Sequence, residues 1–256
     1  MCRWLSYCGR PLYLESLLFE PENSLIQQSL RARHAAVTTN GDGFGVGWYA
    51  GRDVPGIYRE VLPAWNDGNL RSLAHQIRAS LFFAHVRAST GTATSRANCH
   101  PFSHGNWLFM HNGQIGGYEQ VRRRLESLIP DELYAARQGT TDSELIFFLL
   151  FRYGLERDPP GALRKAIQAV VYAMAEAGIE QPFRMTAALS SGRSITALRY
   201  STDDHPPSLY WSEHDGDLTV VSEPLDATAD QWNEVPTSHL LTVTPSGTID
   251  LQRFAL

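Results

Sequence analysis

The sequence is short of most features that usually declare a function. Its three cysteines (Cys2, Cys8, Cys99) are an odd and sparse set, which argues against a disulfide framework. Thiols kept reduced fit a cytoplasmic location, and that is the expectation. There is no excess of positive charge: 22 Lys and Arg against 27 Asp and Glu give a net charge of -5. That leaves no electrostatic footprint for nucleic acid. There is no long apolar run either. The longest candidate, LIFFLLF at 145–151, is flanked by Glu144 and Arg152 and falls short of the ~20 residues of a membrane span. Near the start, Arg3, Ser6, Gly9, Arg10 and Pro11 interrupt any secretory apolar region. Internal repeats and low-complexity linkers are absent, and the Pro-Pro pairs at 159–160 and 206–207 read as turns. A single domain over residues 2–256 is therefore expected.

What is present is ordinary globular material. The chain has 256 residues, 43% hydrophobic and 19% charged, enough to bury a sizeable core. The first half reads as strands and tight turns, such as WLSYCG and GVGWYAG with Gly or Pro at their edges. In DGNLRSLAHQIRA (67–79), Leu70, Leu73, Ala74 and Ile77 recur at helical spacing behind Asp67, a candidate cap. LFFAHVRAS (81–89) and WLFMHNG (107–113) read as buried strands. Three helices follow: GYEQVRRRLESLI; TTDSELIFFLLFRYGL, where Thr141 and Glu144 form a capping-box pattern; and the amphipathic GALRKAIQAVVYAMAEAG. The last third returns to strands (FRMTAALSS, SITALRYS, SLYWSEH, LTVVSE, HLLTVTPSG, TIDLQRF), joined by hairpin-like turns such as HDGD and PSG. Strands on both sides of a helical middle point to α+β with antiparallel sheets.

Several stretches could carry chemistry. GDGFGVGWY (41–49) has Gly-x-Gly elements but no preceding strand, no following helix and no Gly-Lys-Ser/Thr. It reads as a glycine turn entering a strand, or as one that walls a small-molecule pocket. His85, His100, His104 and His111 with Cys99 match no metal-ligand spacing, and His85 and His111 in apolar strands read as core histidines. Arg87 sits in an otherwise apolar strand, which is costly unless its charge is paired. Its planar fork suits a carboxylate, in a salt bridge or on a ligand. HNGQ (111–114) is a simple turn, or an oxyanion hole built from the Asn112 amide and the Gly113 N–H. Asp142 at a helix start satisfies orphan N–H groups in the plain reading. Cys8 reads as a small hydrophobe in a strand, and NCHPF as a loop lining a pocket.

Taken in order, MCRWLSYCG, DGFGVGWY, HVRAST, NCHPF, MHNGQI, TDSE and VSEPLD resemble the class II glutamine amidotransferases, a branch of the N-terminal nucleophile hydrolases. The resemblance covers most of the chain. It is to the short stand-alone type, which includes the amidohydrolase of ergothioneine biosynthesis. It implies a four-layer αββα sandwich of two antiparallel sheets, and an enzyme that hydrolyses the γ-amide of glutamine or a γ-glutamyl compound. It implies that Cys2, freed of Met1, is the nucleophile, forms the thioester and supplies its own α-amine as base. Asn112 and Gly113 match the oxyanion hole, Arg87 the grip on the α-carboxylate, and Asp142 the acceptor for the α-amino group. Thr90 lines the same pocket, and His111 is counted with these substrate-binding residues. No metal and no cofactor are implied. Synthase-linked members carry an aromatic residue and a histidine near the arginine, where this chain has Ala88, Ser89, Thr90 and Gly91, and no synthase domain follows. A hydrolase is expected, with a glutaminase subunit feeding ammonia to a separate synthase, or a non-catalytic γ-glutamyl-binding module if Met1 stays, as alternatives. The expected partner is a small γ-glutamyl molecule, with no nucleic acid and no membrane; a homo-oligomer or a synthase partner is left open.

Overall fold

The computed structural model describes residues 2–31, 39–89, 93–228, 231–243 and 248–256. Among these, two sheets form. The first has seven strands in the order β11 (Asn233–Glu234), β9 (Tyr210–His214), β10 (Asp217–Val221), β1 (Arg3–Tyr13), β4 (Arg78–Val86), β2 (Phe44–Tyr49), β3 (Gly56–Glu60). The second has six, in the order β13 (Ile249–Arg253), β12 (His239–Val243), β8 (Ile195–Ser201), β7 (Arg184–Ser190), β6 (Trp107–Gln114), β5 (Phe102–His104). Neighbouring strands pair antiparallel throughout.

The period of two along each strand builds the layers. In β1, Trp4 joins the apolar core between the sheets, while Leu5 and Tyr7 join the core on the outer face. In β4, Leu81 and Phe83 point inward and Phe82, Ala84 and Val86 outward. In β6, Leu108 and Met110 meet the first sheet, and Trp107 and Phe109 face away from it. Short helices α1 (Glu15–Leu18), α2 (Leu25–Leu30) and α3 (Gly68–Gln76) cover the first sheet. Helices α4 (Tyr118–Glu126), α6 (Asp142–Arg152) and α7 (Pro159–Glu176) cover the second, with α5 (Asp131–Tyr134) between α4 and α6 in sequence. The result is the four-layer αββα sandwich that the resemblance implies.

Local signals explain the elements. Asp67 accepts a hydrogen bond from the Leu70 N–H (2.6 Å) and starts α3. Thr141 accepts from the Glu144 N–H (3.2 Å) at the head of α6. The other half of the expected capping box is redirected, because Glu144 accepts instead from the N–H groups of Gln138 (3.0 Å) and Gly139 (2.7 Å). LIFFLLF is apolar all round because α6 packs between the second sheet and α7; Leu145 through Leu150 are buried. Asp215 and Gly216 both adopt positive φ in the HDGD turn between β9 and β10. The PSG turn falls outside the described residues. Cys8, expected to be packed away, is half-buried beside the inter-sheet core. Among the described residues no helix is long and apolar enough to cross a membrane.

Candidate active site

The candidate groups meet at one end of the sandwich. Cys2 stands immediately before β1, and that strand pairs with β4 so that Arg3 faces Val86. This register brings the Cys2 thiol against the residues after β4. Its Sγ accepts from the Ala88 N–H at 3.4 Å and lies 3.5 Å from the Ala88 carbonyl oxygen. Burial pushes the thiol pKa up; the Ala88 hydrogen bond and the charges of Arg87 and Arg3 oppose that rise. Asn112 comes from the other sheet, where β6 ends. Its Nδ2 donates to the Cys2 carbonyl at 2.9 Å, so one hydrogen bond ties the two sheets together at the thiol.

Gly113 follows at φ +145°, and a Cβ there would lie 1.9 Å from the Arg184 carbonyl oxygen across the β6–β7 pair. Only glycine fits so close an approach of two backbones.

Arg87 is nearly inaccessible and lies on the inward face that Leu81 and Phe83 set up. The turn at Asp42 and Gly43 clamps it. Arg87 N–H donates to the Gly43 carbonyl (2.8 Å), the Asp42 N–H donates to the Arg87 carbonyl (3.1 Å), and the Asp42 carboxylate accepts from the Ser89 N–H (2.7 Å). These bonds carry the β2–β4 ladder past the last paired residues. The guanidinium itself donates to the Asp42 carbonyl (3.3 Å), to Ser89 Oγ (3.3 Å) and to the Ala93 carbonyl (3.4 Å). Of the two readings of GDGFGVGWY, then, the glycine turn entering a strand is present, and it grips a pocket residue.

Asp142 opens α6, where a carboxylate complements the helix dipole. Its Oδ1 accepts from the Ser143 N–H (2.8 Å) and its Oδ2 from the Ile115 N–H (2.9 Å). Both the plain helix-start reading and a pocket position hold for it. His111 points to the outer face of the second sheet, where its Nδ1 pairs with Ser143 Oγ at 2.8 Å. Its pKa is lowered by burial, against the pull of Asp142. His85 and His100 are buried with stacked rings, centroids 4.2 Å apart. Burial and neighbouring positive charge push both down, His85 to about 3, so both are neutral over the physiological range.

A cavity of about 410 Å³ joins these groups; Cys2, Arg87, His100, His111, Gly113 and Asp142 all line it. Thr90 lies outside the described residues. Among the described residues no group of three or more His, Cys, Asp or Glu side chains is arranged to hold a metal ion. Three supporting residues escaped sequence reasoning. Asp42 was hidden in a glycine-rich turn. Ser143 bridges His111 and Asp142, and a serine inside a helix start carries no distinctive signal. Glu223, in VSEPLD, forms a fully buried ion pair with Arg3 (3.1 Å) beside the thiol; only an unpaired charge at position 3 of an apolar strand could have pointed to it.

Comparisons with known proteins agree with this fold. A family described as class-II glutamine amidotransferases matches residues 19–206, a span that begins after Cys2. The chain is 34% identical over 293 residues to the "Probable glutamine amidotransferase DUG3" of Saccharomyces cerevisiae, covering 95% of this chain and 82% of that protein. It is 27% identical over 247 residues to a γ-glutamyl-hercynylcysteine sulfoxide hydrolase of Mycolicibacterium smegmatis, covering 95% and 96%. A solved glutamine aminotransferase class-II domain protein from Silicibacter pomeroyi superposes over the full length of both chains, with a TM-score of 0.79 and 38% identity. The Bacillus subtilis glutamine phosphoribosylpyrophosphate amidotransferase shares the fold at a TM-score of 0.71 and 15% identity, over half of its own length.

Proposed function

The chain belongs to the class-II glutamine amidotransferases, enzymes acting on amide bonds, and from that premise we propose that it is a single-domain amidohydrolase cleaving γ-glutamyl amides through a thioester on Cys2. The observation that carries this reading is the convergence of a thiol, a cation and an anion on one cavity, with the Asn112 amide bonded to the carbonyl of the thiol-bearing residue.

The charges select the substrate. The α-carbon of a γ-glutamyl group bears a carboxylate and an ammonium. Arg87 takes the first through its fork, and Asp142 takes the second. A molecule lacking either group forgoes a charge-assisted contact in the pocket and binds more weakly than a γ-glutamyl compound that makes both. So held, the γ-carbonyl lies over Cys2.

The thiol is pushed up by its burial, so at neutral pH it carries its proton and needs a base. His85 and His100 are poor bases, for burial holds them well below their ordinary range. The α-amine of Cys2, free once Met1 is removed, has an ordinary pKa of about 7.7–8.0 and serves instead. Attack forms the C–S bond. Negative charge on the former carbonyl oxygen is met by the Asn112 amide, which keeps a second hydrogen beyond the one given to Cys2, and by the Gly113 N–H. Collapse breaks the C–N bond, and the leaving amine takes the proton from the α-amine. Water then attacks the thioester, the thiol leaves with a proton, and glutamate is released.

Mass spectrometry of the mature chain, combined with glutamate release from glutamine, glutathione, γ-glutamyl dipeptides and γ-glutamyl thiohistidine conjugates, tests this. Met1 should be absent, at least one compound should yield glutamate, and Cys2→Ala should abolish the yield. Met1 retained together with no release from any compound would overturn the reading.

A further inference from the structure

Along the outward face of β1, positions 5 and 7 are Leu and Tyr in an apolar core, yet position 3 on the same face is an arginine. Arg3 is 1% exposed, as is its partner Glu223. Burying such a pair usually gains little stability over apolar side chains of similar volume, so its presence asks for another reason.

The hydrogen bonds supply one. Arg3 Nε donates to Glu223 Oε2 (3.1 Å), and its Nη1 turns back to donate to the carbonyl of Cys2 (3.1 Å). That carbonyl is the one that also accepts from Asn112 (2.9 Å). Glu223 is in turn fixed by a third segment. Asn23 Nδ2 donates to Glu223 Oε1 (3.2 Å) and to the Pro224 carbonyl (2.6 Å), and Gln28 Nε2 donates to the Glu223 carbonyl (3.2 Å). Next to it, Ser222 and Trp4 exchange two bonds: the Ser222 N–H donates to the Trp4 carbonyl (3.0 Å), and Trp4 N–H donates to Ser222 Oγ (3.1 Å).

We propose that Arg3 and Glu223 are positioning residues for the nucleophile, setting the orientation of Cys2 through its carbonyl. This rests on the reading of Cys2 as a terminal nucleophile. A terminal residue has one covalent tether, the peptide leading to residue 3. With no preceding chain, rotation about that tether swings the thiol and the amine together. Two donors to the carbonyl, one from the second sheet (Asn112) and one from the outer face of the first (Arg3), fix the plane of that tether, and the Ala88 N–H on the thiol then holds the one rotation left. Neither Arg3 nor Glu223 lines the substrate cavity, so losing the pair should leave substrate affinity intact.

The decisive variant is Arg3→Met/Glu223→Met, which removes both charges and keeps side-chain bulk. Three quantities are read: the unfolding midpoint; kcat and KM for glutamate release; and the rate at which iodoacetamide alkylates Cys2, followed by mass spectrometry of the N-terminal peptide. The expected result is a folded protein with KM within about twofold of wild type and kcat lowered on the order of tenfold or more. Alkylation should become several-fold faster as the thiol leaves its seat under the Ala88 N–H. Slower turnover with faster alkylation in a folded protein is a pattern that a merely structural pair would not produce. A folded double variant with unchanged kcat and unchanged alkylation overturns the proposal. If the double variant fails to fold, Arg3→Lys keeps a cation for Glu223 but loses the second arm of the fork, and the same two readouts decide. If wild type releases glutamate from no compound, the enzymatic reading fails, and the alkylation rates alone judge the positioning.

Discussion

The two outer covers of the sandwich are built differently. The second sheet lies under α6 and α7, helices of 11 and 18 residues, whose apolar faces form one continuous core with it. The first sheet lies under helices of 4, 6 and 9 residues. There the buried set includes Arg3, Asn23, Ser24, Gln28, Asn40, Ser222 and Glu223, joined by hydrogen bonds across distant segments. Long helices bury enough area to hold a layer by packing alone. Short helices bury less, and directional bonds supplement the apolar core of that layer. The difference teaches where damage should be felt: as lost stability on the packed side, and as lost geometry at the thiol on the bonded side.

The largest test of that division is Phe147→Ala. Phe147 is fully buried and its ring stacks on Phe109 at 5.4 Å. The cavity left should cost about 3–5 kcal/mol in denaturant unfolding, with KM of the folded protein unchanged. A KM rise without lost stability would break the comparison. Next comes Asn112→Ala, at the bond between the sheets. It removes the proposed oxyanion donor, so kcat should fall by about 10²–10³, with little change in the affinity for glutamate measured by calorimetry.

His85→Phe probes the seam between the layers. The unfolded chain takes up a proton at His85 near its ordinary 6.5, while the fold resists protonation down to about 3. Stability is therefore full above pH 6.5 and declines as pH falls toward 3. Burial and then the charges of Arg87 and His111 oppose its charging, a hydrogen bond to the His111 backbone favours it, and His100 stacks on the ring. The substitution should recover about 2–3 kcal/mol of the loss between pH 6.5 and 4, read from unfolding curves at each pH; an identical slope would exclude His85 as its source. The smallest effect is expected from Arg87→Lys, which keeps charge and loses the fork. KM should rise about tenfold, and an unchanged KM would mean that the carboxylate is gripped elsewhere.

Much of the fold was legible because its signals are local and periodic. Alternation along β1 and β4, helical spacing from Leu70 to Ile77, and the caps Asp67 and Thr141 need only near neighbours. The order of motifs was legible too, and Cys2, Arg87, Asn112, Gly113, His111 and Asp142 do share one cavity or its immediate wall. What stayed hidden was long-range and polar. Arg3 and Glu223 stand 220 residues apart, and nothing near either names the other. Asp42 grips Arg87 across 45 residues. Glu144 fitted a capping pattern, but reaches back to Gln138 and Gly139 because the loop before α6 offers it closer donors.

The crowding at Gly113 sets a limit on what drift or a mutant library can reach. A Cβ at that position collides with the backbone of β7, so a saturation library across residues 111–114 should recover folded clones with varied residues at the exposed Gln114 and only glycine at 113. Folding thus locks the position before catalysis can act on it. Under the proposed mechanism, retuning of how this pocket stabilises negative charge runs through the Asn112 side chain.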